Sequence, residues 1–257
     1  MATVDATELE TKVKDLYCHV AEQPHSAYHF QMGRALADRL GYPAELLDRI
    51  PDEAVESFAG VGYFIDLADL RPGERVMDLG SGSGMDTFAA AALVGSSGRV
   101  VGVDFTVEQL AKARRLASAA GLGQVEFRQG HIEALPAEDN QRFDCVISNG
   151  VINLSPDKDR VFAEAARVLR PGGRLAIADI VTERQLTESI VANADLWASC
   201  IGGAAQQDTY RQAIEDAGLH IEQVRPNLYQ FLSAQASSAS ATYGVHSISL
   251  LAVKPVR

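Results

Sequence analysis

The rhythm of apolar residues changes along this chain. Within 8–58, Leu9, Val13, Leu16 and Val20 recur at helical spacing, as do Met32, Leu36 and Leu40 before Gly41 and Pro43 stop the run. Short, nearly continuous apolar runs then take over at 75–79, 99–104, 124–129, 143–149 and 173–181, separated by helical stretches at roughly 85–94, 106–120 and 158–170. Strands apolar on both faces that alternate with helices imply a parallel sheet covered on both sides. The expected fold is α/β, a doubly wound, mostly parallel sheet domain over 71–257 with a helical extension over 1–70 that packs on it as a lid. Beyond Val181, helical stretches at 187–198 and 207–217 precede a strand pair near 220–224 and 247–253. The elements around 182–218 are read as the substrate side. The low-complexity piece at 233–241 reads as either a flexible loop or a weak helix.

Composition narrows the class. With 257 residues and 47% hydrophobic content the chain can fill a substantial core. A net charge of −11 and a pI near 5.0 leave no basic excess to neutralise a nucleic acid backbone or an anionic membrane, so neither is expected as a partner. The N-terminus lacks the basic-then-apolar form of a signal peptide, and no apolar run approaches the ~18 residues of a membrane span. The expected location is the cytoplasm. Three widely spaced cysteines, Cys18, Cys145 and Cys200, fit reduced thiols better than a disulfide framework. Cys145, inside an apolar strand, reads as core.

The most specific chemistry lies where the first strand ends, in Val76-Met77-Asp78-Leu79-Gly80-Ser81-Gly82-Ser83-Gly84. Three glycines spaced by two let a ligand approach the backbone closely, and an apolar, Ala-rich helix follows. A dinucleotide fingerprint would place Gly or Ala at position 85, where Met85 stands. The second strand ends in Asp104, 24 positions after Gly80 and near the ~20 at which such folds set a carboxylate against ribose hydroxyls. Asp104 is the expected ribose ligand, its other reading being a cap for the helix starting near Thr106.

The pattern Asp78-x-Gly80-x-Gly82-x-Gly84 resembles the first motif of class I S-adenosylmethionine (SAM) methyltransferases. Further matches point to the arsenite methyltransferase branch: Gly80 to Asp86, the stretch from Val146 to Lys158, Arg167 to Leu175 with its Pro-Gly-Gly turn, and Cys200-Ile-Gly-Gly-Ala204. The resemblance covers about 75–215 and implies a Rossmann-like sheet, SAM as cofactor and methyl transfer to a small molecule. It also implies roles. Asp78, Gly80, Gly82 and Gly84 take the amino acid end of SAM, Asp104 the ribose, and His131 and Ile132 border the adenine, although an acid is usual at His131. Asn149 and Gly150 face the methyl group. Tyr17 resembles the lid tyrosine that closes over the sulfonium in related enzymes, and Cys200 with Trp197 lies where the family builds its substrate side.

The chain departs from that branch in its thiols. Gly150 stands where the branch has cysteine, and Phe58-Ala-Gly-Val-Gly-Tyr63 replaces a cysteine-bearing run, so only Cys200 matches a family thiol by motif. A soft trivalent arsenic centre calls for several thiolates. The expected reaction is therefore methyl transfer to a small, organic acceptor, with arsenite methylation through Cys200 and a SAM-binding scaffold without transfer as alternatives. His19, His25 and His29 read as lid-surface residues rather than ligands, so no metal is expected, although one could act as a base. Oligomeric state is not readable, and a homodimer is left open.

Overall fold

The computed structural model describes residues 4–256 apart from Ala27, His29, Ser199 and Ser233. Helices come first: α1 (Ala6–Glu22), α2 (Gly33–Leu40), α3 (Ala44–Leu47), α4 (Asp52–Glu56) and α5 (Ile65–Ala68). Asp5 opens α1 by accepting the amides of Thr7 and Glu8. Glycine and proline cut the rest of the extension into short pieces. Gly41 closes α2 with φ +96°, while Pro43 and Pro51 stand immediately before α3 and α4.

The sheet region runs β1 (Arg75–Leu79), α6 (Met85–Val94), β2 (Arg99–Asp104), α7 (Val107–Ala119), β3 (Val125–Gln129), β4 (Phe143–Asn149), α8 (Lys158–Val168) and β5 (Leu169–Thr182). Then follow α9 (Glu188–Val191), α10 (Ala194–Ala198), β6 (Ala205–Gln206), α11 (Gln207–Asp216), β7 (His220–Pro226), α12 (Ala234–Tyr243) and β8 (His246–Val253). Strand order is β3-β2-β1-β4-β5-β8-β7, with β6 paired beside β5. The strands from β3 to β5 run parallel, and β8 is antiparallel to both β5 and β7. This is the doubly wound, mostly parallel sheet expected.

Three local differences have simple causes. β5 begins at Leu169, earlier than the apolar run suggests, because Phe143 pairs with Leu169 and Cys145 with Arg174, so the Pro171-Gly172-Gly173 turn bulges out between them. The two-residue β6 is too short to leave a periodic signal. The low-complexity piece is helical from Ala234.

Alternate strand residues feed two cores. Val76, Ile147 and Ala176 pack with Phe88 of α6, Leu110 of α7 and the extension residues Leu9, Val13 and Leu36. Met77, Val101, Val146 and Leu175 pack on the other face with Phe162 of α8 and Tyr210 of α11. The extension thus shares a core with the sheet. Arg174 adds a polar tie, meeting Glu74 at 2.7 Å and the carbonyl of Asp69 at 2.9 Å. Among the described residues no helix is long and apolar enough to cross a membrane.

On the second face Tyr210 Oη donates to Asp179 Oδ2 at 2.6 Å. Burial pushes the Asp179 carboxyl up to about 6, above its unfolded value. Its charged form is therefore resisted by the fold, and stability falls as pH rises through the folded value. Tyr210→Phe removes a donor to that buried charge and should destabilise the protein by about 2 kcal/mol at pH 8. At pH 5, where the carboxyl is protonated, denaturant titration should find a smaller loss.

Candidate active site

A cavity of about 370 Å³ opens at the carboxyl ends of β1, β2 and β4, the crevice where doubly wound sheets place ligands. Its floor includes Asp78, the glycine loop, Asp104, Phe105, Asn149 and Gly150, and α1 roofs it with Leu9, Val13 and Tyr17.

The loop backbone turns left-handed at Gly80, Gly82 and Gly84, with φ +74°, +52° and +94°. Its amides are largely consumed within the protein. Gly80 and Ser81 both donate to the carbonyl of Val103, Gly84 donates to the carbonyl of Ser81, and Gly82 donates to Asp104 Oδ2 at 2.9 Å. A pyrophosphate needs such amides free and no carboxylate beside them. The loop offers the opposite, which suits a ligand with an ammonium group and no phosphate. Ser81 Oγ is buried against Gly102 of β2 without a partner among the described residues, while the carboxyl groups of Asp78 and Asp104 line the cavity as acceptors suited to the ammonium and hydroxyl groups of a nucleoside amino acid. The donor set fits SAM.

Asp78 is 2% exposed and accepts from Thr87 Oγ1 at 2.6 Å. Burial, then the nearby Asp86 charge, pushes its carboxyl up to about 8. Asp104 accepts from Gly82 through Oδ2 and from the Thr106 amide, at 2.8 Å, through Oδ1. It thus ties the glycine loop to the start of α7 while lining the cavity. Thr106, not Asp104, occupies the cap position of α7, and it makes no side-chain cap bond. At the far end the rings of Phe105 and His131 stack 5.8 Å apart at 2°, with Ile132 beside them. The pair forms a flat aromatic border.

Asn149 lines the cavity, yet its amide is engaged elsewhere. Nδ2 donates to Asp86 Oδ2 at 2.9 Å, to the Gly62 carbonyl at 3.0 Å and to Tyr42 Oη at 3.1 Å. Oδ1 accepts from Val61 at 2.8 Å. The side chain therefore straps the 60–62 loop to the end of β4. Tyr42 Oη completes the network by donating to Asp86 Oδ1 at 2.5 Å. Burial pushes Asp86 up to about 6, even though both neutral donors favour its charged form.

Tyr17 roofs the cavity and stacks on Phe30 at 6.5 Å. The helix carrying it is latched by α7: Gln109 Nε2 donates to the Tyr17 carbonyl at 2.8 Å while Gln109 Oε1 accepts from Ser83 Oγ of the glycine loop. Lys112 Nζ adds a bond to the Ala21 carbonyl of that helix at 3.3 Å and another to Ser57 Oγ, after α4, at 2.8 Å. Gln109→Leu severs the link between the glycine loop and α1, removing about 2 kcal/mol of local bonding. Hydrogen exchange of residues 6–22 should accelerate at least about tenfold while the sheet is unaffected.

Cys200 stands outside the lining of this cavity. It is 9% exposed with φ +61°, and burial pushes its thiol up to about 11. Trp197 is likewise core, donating Nε1 to the Val191 carbonyl at 2.6 Å, with Lys158 over its ring. Gly202 and Gly203 pack that segment tightly onto the indole, and the Cys200 thiol lies close enough to Tyr17 of the roof to act on its hydroxyl electrostatically. Cys18 is half-buried on α1 and Cys145 lies fully buried in β4. His19 packs edge-on against Tyr28 and His25 lies 3.9 Å from Glu56; His29 lies outside the described residues. Among the described residues no group of three metal-capable side chains is assembled.

Sequence reading missed Asp86, Tyr42, Phe105 and Gln109. Only Asp86 left a signal, as an acid in the first turn of an otherwise apolar helix.

Comparison with known proteins agrees with this geometry. The family profile described as "Methyltransferase domain" matches residues 70–218. The arsenite methyltransferase of Halobacterium salinarum is 40% identical over 190 residues, covering 74% of this chain and 48% of the relative. The ubiquinone/menaquinone biosynthesis C-methyltransferase UbiE of Hahella chejuensis is 37% identical over 170 residues, or 63% of this chain and 66% of the relative. The crystal structure of CrArsM, an arsenic (III) S-adenosylmethionine methyltransferase from Chlamydomonas reinhardtii, superposes with a TM-score of 0.65 at 33% identity, covering 88% of this chain and 74% of that one. The chain spans about half the length of the first of these relatives, 48%. With the profile, the fold and the cavity in agreement, the chain belongs to the SAM-dependent methyltransferases of class I fold.

Proposed function

We propose that this protein transfers a methyl group from SAM to a small, uncharged organic acceptor. The observation that carries the reading is the composition of the cavity wall: acids, apolar side chains and polar side chains such as Tyr17, Gln109, His131 and Asn149, with neither Lys, Arg nor Cys among its lining residues. An anionic acceptor would find no counter-charge there, and a thiophilic one no ligand. When bound, the cofactor supplies an electrophilic methyl group on a sulfonium sulfur.

The residues around it do the rest. Asp78 and the loop Gly80, Gly82 and Gly84 hold the amino acid end, Asp104 holds the ribose, and His131 with Ile132 and Phe105 border the adenine. Tyr17, with the α1 roof, closes over the acceptor side and excludes water. Asn149 keeps the 60–62 loop in place and so acts as a positioning residue. Methyl transfer from a sulfonium is an in-line displacement with partial charge cancellation, so alignment in a dry cavity supplies much of the rate.

A second reading, arsenite methylation with Cys200 as one arsenic ligand, is supported by the 40% identity to an arsenite methyltransferase. The position of Cys200 outside the cavity lining counts against it. Incubation with methyl-labelled SAM and a panel of neutral phenols, thiols and amines should give a labelled organic product. Labelled methylarsenic from arsenite plus a thiol reductant, with no organic product, would favour the second reading. Turnover with neither would favour a SAM-binding scaffold.

A further inference from the structure

One wall of the cavity is the turn that leaves β4, with Gly150, Val151, Leu154 and Ser155 among the lining residues. The same turn grips the 194–204 segment. Asn153, fully buried, donates Nδ2 to the Cys200 carbonyl at 3.5 Å, and a Cβ added at Gly203 would lie 1.9 Å from the Asn153 carbonyl oxygen. Lys158, the first residue of α8, completes the grip by placing its ammonium 4.7 Å from the centre of the Trp197 indole.

That ammonium is sparsely partnered. It carries three N–H donors, and among the described residues its one hydrogen bond goes to the Ser155 carbonyl at 2.8 Å. The indole face takes the place of a second partner, in a cation–π contact that strengthens where water is excluded. Ser155 Oγ in turn donates to Glu133 Oε1 at 2.5 Å, and both residues line the cavity together with His131 and Ile132. Glu133, Ser155, Lys158 and Trp197 therefore form one chain of contacts from the adenine end of the cavity to α10. The chain continues into the roof: Ala194 and Trp197 of α10 share a core with Leu9 and Val13 of α1, and Asp195 pairs with Lys12 at 2.5 Å. Leu9 and Val13 are themselves lining residues of the cavity.

We propose that Lys158 is a positioning residue: by holding Trp197 it couples the adenine end of the cofactor crevice to the seating of α1 over that crevice. A ligand on the Glu133–Ser155 rim then steadies the roof, and a steady roof holds the ligand more tightly. The inference rests on the cofactor reading of the cavity.

Trp197 is the only tryptophan of the chain, so its fluorescence reports on this contact directly. The probe is S-adenosylhomocysteine (SAH), which is SAM without its methyl group. Emission of the wild type should change when SAH binds, although Trp197 stands outside the cavity lining. Emission should also step with pH at a midpoint below the ordinary lysine value of 10.5, because burial lowers the Lys158 ammonium against the opposing pull of Asp179 from β5, Asp159 from α8 and Glu133. Lys158→Met should abolish both responses and weaken SAH binding, measured by calorimetry at pH 7.5, at least about fivefold. Lys158→Arg keeps a cation over the indole and should bind SAH within about twofold of wild type while losing the pH step. SAH binding that leaves wild-type emission unchanged overturns the proposal, as does a Lys158→Met protein that binds SAH as tightly as wild type or a Lys158→Arg protein as weak as Lys158→Met. If Lys158→Met fails to fold, the wild-type responses and Lys158→Arg decide. A wild type that binds no SAH overturns the cofactor site itself and this inference with it.

Discussion

Asp104→Ala is expected to weaken SAH binding about 100-fold or more, the largest loss of affinity from any single side chain in the cavity. The carboxylate accepts two backbone amides, Gly82 at 2.9 Å and Thr106 at 2.8 Å, and still presents lone pairs to the cavity. Truncation removes the ribose acceptor and frees the central glycine of the loop from the end of β2. Hydrogen bonds to a charged partner are each worth about 1.5–3 kcal/mol, so losing the ribose bonds and the loop anchor amounts to about 3 kcal/mol or more. Asp104→Asn keeps one carbonyl oxygen for an amide and should fall between wild type and Ala. Calorimetric titration with SAH checks both variants. An Asp104→Ala protein that binds within about threefold of wild type would remove Asp104 from the site.

The second large effect is structural. At Gly80 an added Cβ would lie 2.4 Å from both methyls of Val151 and 2.8 Å from its Cβ, at a residue whose φ is +74°. Valine is stiff at χ1 and is itself part of the cavity wall, so the clash cannot be relieved without moving that wall. Left-handed strain of about 1 kcal/mol and overpacking of 1–3 kcal/mol together predict that Gly80→Ala loses about 3 kcal/mol of stability and also loses cofactor binding. Gly82→Ala is the contrast. The closest atom there is Gln109 Oε1 at 3.8 Å, so only backbone strain of about 1 kcal/mol is expected. Pairing Gly80→Ala with Val151→Ala should recover the overpacking share and leave the strain. Urea denaturation of the three variants measures this, and equal losses at Gly80 and Gly82 would contradict it.

Strands β1, β2 and β4 were legible because they are buried on both faces and read as nearly unbroken apolar runs, whereas the edge strand β3 is mostly polar and half-exposed. The glycine loop and the acid ending β2 were legible for a different reason: a ligand approaching the backbone demands particular residue types at particular spacing. Where the chain's own long-range contacts decide, the signal fades. Nothing local marks Tyr42 as a partner of Asp86, 44 residues away, or Gln109 as the link between Ser83 and the carbonyl of Tyr17. Asn149 was found by its place at the end of β4. Its amide, engaged by Asp86, Tyr42 and the 60–62 loop, could not be foreseen from that position. Cys200 shows the converse, since a motif match located the segment but not that the residue would be buried with a left-handed backbone.

The central claim is that the crevice between Asp78 and Asp104 holds SAM. The most direct measurement is a crystal structure of the protein soaked with SAH. The account predicts density along that crevice, with the amino group on Asp78, the ribose hydroxyls on Asp104 and the adenine beside Phe105 and His131. SAH bound elsewhere, or a crevice closed by side chains with no ligand in it, would contradict it.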